Sequence, residues 1–134
     1  MEMPNMTPED LVAVAAGARE RAYAPYSRFA VGAALQGSSG TVYAACNVEN
    51  VSYGLSICAE RAAIFKAVSE GEQQFEAIAV VTSNGGSPCG ACRQVLAEFG
   101  YLMPVYIADT QGQFRIFTVQ ELLPEAFLPE DLPS

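Results

Sequence analysis

The sequence predicts an α/β domain in which a mixed sheet of about five strands is covered by helices. Segments with helical and strand periodicity alternate in the order α-β-β-α-β-α-β-β, which is typical of layered α/β folds. One segment, residues 75–82, is largely apolar, as expected of a strand covered on both faces. The 134-residue chain is 51% hydrophobic and 16% charged, which is sufficient for the core of a single domain spanning residues 1–134.

Local signals justify each element in chain order. The first helix begins after Thr7, which can cap it, with Pro8 in its first position and Asp10 completing a capping box. Pro25 is expected to end this helix. Glycine and proline clusters separate the later elements. These are a hairpin of strands at 29–35 and 41–46, a polar loop at 47–57, a helix at 58–69, the strand at 75–82, a helix at 87–99, strands at 105–108 and 114–117, and a short helix at 118–123.

Composition excludes several classes of function. The chain has no histidine, so Ser-His-Asp and Cys-His nucleophilic sites and HExxH zinc sites are ruled out. A net charge of −8 with 7 basic residues leaves no basic surface, so neither nucleic acid nor an anionic membrane is expected as a partner. Residues 1–5 lack the cationic start of a targeting leader, and metal or thiol chemistry fits the cysteines of a reducing compartment, so a cytoplasmic protein is expected.

Three of the four cysteines stand at predicted helix starts. Cys58 opens one helix, while Cys89 and Cys92 open the next and lie one helical turn apart. A helix N-terminus lowers the pKa of a thiol and favours the thiolate that a metal needs. Three thiolates with a fourth position left to water predict a catalytic zinc site that holds one ion per chain.

Other interpretations of the cysteines remain open. The pair Cys89 and Cys92 alone fits a thioredoxin-like redox motif as well as a metal site. Cys58 favours the metal by supplying a third ligand. Cys46 could close a structural site of four cysteines, which would make the protein an association module, but its position at the end of a strand favours an ordinary buried cysteine.

The charged residues beside the cysteines also have two interpretations. Glu60 can be a helix first-turn carboxylate, worth about 0.3–1 kcal/mol. Next to a zinc site in a chain without histidine, it becomes the expected proton acceptor and donor. Arg61 and Arg93 each follow a cysteine motif directly. They are either solvated helix charges or supporting groups that offset the negative charge of three thiolates around zinc.

The two cysteine motifs carry a family resemblance. CAER at 58–61 and PCGACRQ at 88–94 resemble the zinc motifs of the small cytidine deaminases, and segments such as YAPYS at 23–27, VGAAL at 31–35 and CNVEN at 46–50 extend the resemblance over nearly the whole chain. It implies a three-layer α/β/α fold. The implied activity is zinc-dependent hydrolytic deamination of cytidine and deoxycytidine to uridine and deoxyuridine, with release of ammonia, in pyrimidine salvage.

The resemblance also implies roles in substrate binding. Asn47 and Glu49 are expected to hydrogen-bond the sugar hydroxyls of a small-molecule nucleoside, and Phe29 to pack against the pyrimidine. Loop formation by Asn47 and Glu49, and core packing by Phe29, are the simpler alternatives. Backbone groups of Ala59 and Ser87 are expected to contact the edge of the base.

Family members of this length are homotetramers, and the resemblance implies that Tyr53 and Phe127 reach the site of a neighbouring subunit. Local packing is the simpler alternative for both residues. Related deaminases act on blasticidin S, nucleotides or polynucleotide cytosine. The matches around Asn47 and around Tyr26, a supporting residue, favour cytidine over blasticidin, and the shortage of basic residues disfavours substrates that carry phosphate.

Overall fold

The computed structural model describes residues 6–133 and bears out the predicted order of elements. Its helices are α1 (Pro8–Arg19), α2 (Ala59–Ser69), α3 (Gly90–Phe99) and α4 (Val119–Leu122). Its strands are β1 (Gly32–Gly37), β2 (Val42–Cys46), β3 (Phe75–Val81), β4 (Pro104–Ala108) and β5 (Phe114–Thr118). Short 3-10 turns occupy Tyr53–Leu55 and Pro129–Asp131. Residues 1–5, which were expected to carry no targeting leader, lie outside the described residues.

The five strands form one mixed sheet in the order β2-β1-β3-β4-β5. Strand β1 pairs antiparallel with β2 and β3, while β3 and β4 are parallel and β5 returns antiparallel to β4. Helix α3 makes the crossover between the two parallel strands, as a parallel pair requires. The carboxyl end of central strand β3 therefore leads directly into the segment that carries the second cysteine motif.

Strand β3 divides the core into two layers. Ile78 and Val80 belong to the cluster that α2 and α3 cover, whereas Ala77, Ala79 and Val81 face the cluster that α1 covers. Alternate side chains of a strand point to opposite faces, so burial of both sets requires helices on both sides of the sheet. The predicted burial of both faces of this strand and the three-layer α/β/α fold are confirmed.

Helix α1 packs against β1 at a point of very close approach. A Cβ atom at Gly32 would lie 2.0 Å from the carbonyl oxygen of Ala15 and 2.6 Å from the backbone nitrogen of Arg19. Glycine lets the helix backbone rest directly on the strand here. Among residues 6–133, no helix combines the length and the apolar character needed to cross a membrane.

Three element boundaries differ from the predicted ones. Helix α1 ends at Arg19 instead of continuing towards Pro25, and β1 begins at Gly32 instead of residue 29. Helix α3 begins at Gly90 with Cys89 as its N-cap, instead of at residue 87. Each difference lengthens a loop, and the longer loops supply residues that line the site described next.

Candidate active site

Three thiol groups meet where α2 and α3 begin. Cys58 and Cys89 are the N-cap residues of these helices, and Cys92 lies in the first turn of α3. The Sγ atoms of Cys58 and Cys89 are 3.9 Å apart, those of Cys89 and Cys92 are 3.4 Å apart, and all three lie within 4.8 Å of one another. Sulfurs bound at about 2.3 Å around a tetrahedral zinc ion are separated by about 3.8 Å. The three cysteines therefore fit one zinc ion.

The three thiols of the cluster differ in their exposure to solvent. Cys92 is buried, Cys58 is half-buried and Cys89 is exposed. Cys46 lies on β2, is half-buried rather than fully buried, and takes no part in the group of metal-ligating atoms found among residues 6–133. The described residues therefore do not form a closed site of four cysteines, and three protein ligands are the number typical of a catalytic zinc site.

Charge in the cluster concentrates on Cys58. The Nη2 atom of Arg61 donates to the Sγ atom of Cys58 at 3.3 Å. The hydrogen bond with the Cys92 thiol, with support from Arg61, lowers the pKa of Cys58 to about 5. The same bond and burial raise the pKa of Cys92. A metal ion that binds all three sulfurs must release the remaining protons, so zinc affinity is expected to increase with pH.

Glu60 is buried beside the thiols. It is the second residue of α2, its side chain is 4% exposed, and it lines the same cavity as Cys58 and Cys89. Burial raises the pKa of its carboxyl to about 7, and a dication on the sulfurs would act in the opposite direction by favouring the carboxylate. A carboxylate that served only the helix dipole would gain nothing from this burial, because burial penalises its charge.

A cavity of about 510 Å³ opens beside the cysteines and Glu60. This volume lies in the range of small-molecule sites, about 300–1,000 Å³. Four of the residues predicted to bind substrate line the cavity, namely Phe29, Asn47, Glu49 and Ser87. Ala59, the fifth, is fully buried at the start of α2 and is not a lining residue.

Asn47 anchors the loop that precedes β1. Its Oδ1 atom accepts from the backbone N–H of Val31 at 2.9 Å, and its Nδ2 atom donates to the carbonyl oxygen of Phe29 at 2.9 Å. The loop-forming alternative for this residue is therefore present in the structure. An amide side chain offers two N–H groups and two lone pairs on oxygen, so one of each remains for a ligand.

Glu49 anchors the preceding part of the same loop. Its Oε1 atom accepts from the backbone N–H groups of Tyr26 and Ser27, each at 3.1 Å, and its Oε2 atom accepts from the Ser27 hydroxyl. These hydrogen bonds, with the Ser27 hydroxyl foremost, lower the pKa of Glu49. The Tyr26 ring packs edge-on against Tyr53, with centroids 6.2 Å apart.

Arg93 donates hydrogen bonds to oxygen atoms around the second cysteine motif. Its Nε atom donates to the Pro88 carbonyl at 2.9 Å, Nη1 to the Leu122 carbonyl at 2.6 Å, and Nη2 to the Ser87 hydroxyl at 3.2 Å. In the described part of the chain, Arg61 is the arginine that donates to a cysteine sulfur. These bonds of the Arg93 guanidinium hold the segment that leads into Cys89, and its supporting role beside the thiols stays a prediction.

The two residues expected to reach a neighbouring subunit are both exposed. Tyr53 is 74% exposed and lines the cavity, whereas Phe127 is 58% exposed and is not among the cavity residues. The carbonyl oxygen of Phe127 accepts from Gln94 at 2.7 Å, which fixes its backbone on α3. Within this chain both rings therefore stay largely exposed, although Tyr53 packs against Tyr26.

The cavity also contains polar residues that the sequence motifs did not indicate: Ser56, Thr82 and Asn84. Thr82 is 3% exposed, donates to Asn84 Oδ1 at 3.2 Å and accepts from the Gly86 N–H at 2.8 Å. The position of Thr82 in the sequence could have indicated that it lies at the site. A polar residue that directly follows a buried central strand lies at the carboxyl end of the sheet, where α/β folds bind ligands.

Known proteins with this fold and these motifs are deaminases. Residues 6–108 match the family model described as the cytidine and deoxycytidylate deaminase zinc-binding region. The cytidine deaminase of Sporosarcina psychrophila is 54% identical over 130 residues, which cover 95% of this chain and 96% of the relative. That of Mycobacterium tuberculosis strain ATCC 25618 / H37Rv is 44% identical over 133 residues, which cover 98% and 97%.

A solved structure gives the same result. The crystal structure of cytidine deaminase from Burkholderia pseudomallei superposes with a TM-score of 0.88 at 50% identity, covering 91% of this chain and 100% of that one. Family model, relatives and structure agree with the resemblance carried by the two cysteine motifs. The chain therefore belongs to the cytidine and deoxycytidylate deaminase family.

Proposed function

We propose that the protein is a zinc-dependent hydrolase that converts cytidine and deoxycytidine to uridine and deoxyuridine with release of ammonia. The observation that carries the proposal is the buried carboxyl of Glu60 beside three thiols in a cavity of about 510 Å³. The arrangement combines a metal site, a proton carrier and space for a nucleoside. Membership of the deaminase family supports the same reaction.

Cys58, Cys89 and Cys92 would hold the zinc ion. When bound, zinc supplies a Lewis acid with an open fourth position, where water becomes acidic enough to act as a nucleophile near neutral pH. Three thiolates leave a net negative charge around the ion, which works against that acidity. The guanidinium of Arg61, hydrogen-bonded to Cys58, offsets part of this charge.

Glu60 moves the protons. Its carboxylate accepts a proton from water as the hydroxyl adds to the ring carbon that bears the amino group, and passes that proton to the adjacent ring nitrogen. The remaining hydroxyl proton then passes through Glu60 to the amino group. The carbon–nitrogen bond breaks, ammonia leaves and a carbonyl remains, so water is consumed and atoms balance. Burial raises the pKa of this carboxyl and a bound dication would lower it, and the balance of these two effects suits transfer in both directions.

The remaining cavity residues select the substrate. We assign the sugar hydroxyls to Asn47 and Glu49, the pyrimidine face to Phe29, and the base edge to backbone groups of Ala59 and Ser87. Among the cavity residues within the described chain, Arg61 is the only cation, and Cys58 already engages it. No basic group is left in the cavity for a phosphate, which favours a nucleoside over a nucleotide or a nucleic acid.

The same proposal includes assembly and location. The exposed rings of Tyr53 and Phe127 support a homotetramer in which they contact neighbouring subunits. The mass in solution should then be four times the 14.2 kDa of one chain, and a fully active monomer would contradict shared sites. Three thiols kept free for zinc suit the reducing cytoplasm, where the reaction would serve pyrimidine salvage.

The test is the ultraviolet absorbance of cytidine incubated with purified protein whose zinc content has been measured. We expect the absorbance to fall while one ammonia is released per cytidine consumed. No change with one zinc per chain would overturn the proposal in favour of a structural zinc module. Free cytosine serves as the parallel substrate, and equal efficiency with cytosine would remove the sugar-binding roles of Asn47 and Glu49.

A further inference from the structure

The side chain of Arg93 holds the backbone that leads into a metal-ligating cysteine. Its Nε atom donates to the Pro88 carbonyl at 2.9 Å, and its own backbone N–H donates to the Cys89 carbonyl at 3.0 Å. These two carbonyls belong to the peptide groups that enter and leave Cys89, and the second bond is a backbone bond of α3 that a substitution of the side chain leaves in place. A third bond, to the Ser87 hydroxyl at 3.2 Å, holds the preceding residue of the same loop.

Cys89 is the thiol that most needs such support. Cys92 is buried within the first turn of α3, and Cys58 accepts a hydrogen bond from Arg61. Cys89 is exposed and extended at the N-cap, and its side chain makes no capping bond. The position of its sulfur therefore depends on the conformation of its backbone.

The other end of Arg93 is anchored in the C-terminal segment. Nη1 donates to the Leu122 carbonyl at 2.6 Å, one of the carbonyls left free where α4 ends. This segment, residues 122–127, is held independently by Tyr101, which donates to the Leu123 carbonyl at 2.8 Å, and by Gln94, which donates to the Phe127 carbonyl at 2.7 Å. A planar guanidinium presents its donors in a rigid fork, so one side chain can serve all these acceptors.

We propose that Arg93 is a positioning residue whose side chain fixes the backbone that leads into Cys89, with the segment 122–127 as its anchor, and thereby sets the zinc affinity of the three-thiol site. The inference rests on the zinc site of the proposed function. Groups that orient metal ligands typically contribute 10- to 100-fold in affinity. Gln94 and Tyr101 provide matched controls, because they hold the same anchor without touching the Cys89 loop.

The experiment measures the zinc dissociation constant by competition with a chromophoric chelator for wild type, R93Q, R93K, Q94A and Y101F. We expect R93Q to bind zinc about 10- to 100-fold more weakly than wild type. R93K should also be weaker, because a single ammonium cannot reach three separated acceptors, and it replaces R93Q as the test if R93Q does not fold. Q94A and Y101F should stay within about threefold of wild type, the usual scatter for groups outside a site.

Two results would overturn the inference. One is wild-type zinc affinity in R93Q or R93K. The other is an equal loss of zinc affinity in Q94A or Y101F, when these zinc-free variants unfold at the same urea midpoint as R93Q. Arg93 would then act only by stabilising the fold. Failure of the proposed function gives a different pattern, in which the wild type binds one zinc per chain but does not convert cytidine, and the comparison of zinc affinities is unaffected.

Discussion

Replacing Glu60 with glutamine separates proton transfer from zinc binding. The two side chains are nearly the same size, so the packing around this residue, which is 4% exposed, is retained. The amide cannot take up and return a proton, so turnover should fall by about 10²- to 10⁴-fold. That loss corresponds to about 3–5 kcal/mol of transition-state stabilisation. The three cysteines are untouched, so zinc content should stay at one per chain.

The same substitution should stabilise the zinc-free fold at high pH. Burial raises the pKa of Glu60 from 4.5 to about 7, so between these values the folded protein holds a proton that the unfolded chain has lost. The contribution of Glu60 to stability therefore falls as pH rises from 4.5 and levels off above 7. At 1.36 kcal/mol per unit the full effect is about 3 kcal/mol. E60Q does not lose stability in this way, because glutamine does not titrate. It should unfold at a higher urea concentration than wild type at pH 8, but not at pH 4.

Two measurements check this prediction: cytidine turnover at quantified zinc, and urea unfolding of the zinc-free proteins at both pH values. Glu98→Gln is the matched control, because it makes the same chemical change on an exposed position of α3 and should alter neither quantity. Full turnover by zinc-loaded E60Q would refute the proton-transfer role. Loss of zinc in E60Q would mean that the carboxyl supports the metal site instead.

Three further predictions concern the metal, the packing and the substrate loop. Cys89→Ser should lower bound zinc below one per chain after dialysis, whereas Cys46→Ser should keep it; equal zinc in both variants would contradict the three-thiol site. Gly32→Ala brings a Cβ within 2.0 Å of a backbone oxygen of α1 and should cost about 1–3 kcal/mol of stability. Gly17→Ala meets nothing within 4 Å and should add about 0.5–1 kcal/mol, so a urea midpoint lowered in both would refute the packing described for α1. Asn47→Ala removes both bonds to its loop and should destabilise by about 1–3 kcal/mol while raising KM for cytidine; an unchanged KM would remove it from the sugar site.

The helix starts could be predicted because their causes are local. Thr7 and Asp10 form the expected capping box, with two reciprocal bonds of 3.1 Å over three residues. The grouping of the three cysteines could likewise be predicted, because sequence patterns indicate the helix starts at which they lie. Glu60 could be assigned beside them because it lies in the first turn of the same helix as Cys58.

The displaced boundaries have causes that lie far away in the sequence. Residues 29–31 do not extend β1, because the side chain of Asn47 hydrogen-bonds the Phe29 carbonyl and the Val31 N–H. Ser87 does not cap α3, because its hydroxyl accepts from Arg93. Side-chain bonds of this kind depend on the finished tertiary structure, and periodicity carries no information about them.

The different roles of the two arginines have the same origin. Arg61 and Arg93 both follow a cysteine motif, and the sequence alone predicts the same supporting role beside the metal for both. Arg61 lies three residues after Cys58, within reach of its sulfur on one turn of helix. Arg93 meets the Leu122 carbonyl, 29 residues further along the chain, and only the packing of α4 against α3 brings them together.

We expect one zinc ion on Cys58, Cys89 and Cys92 to make the protein active as a cytidine deaminase. The most direct test adds zinc stepwise to the metal-free protein and measures cytidine deamination after each addition. We expect activity to rise in proportion to zinc and to level off at one equivalent per chain. Full activity before any zinc is added, or no activity with one equivalent bound, would contradict the claim.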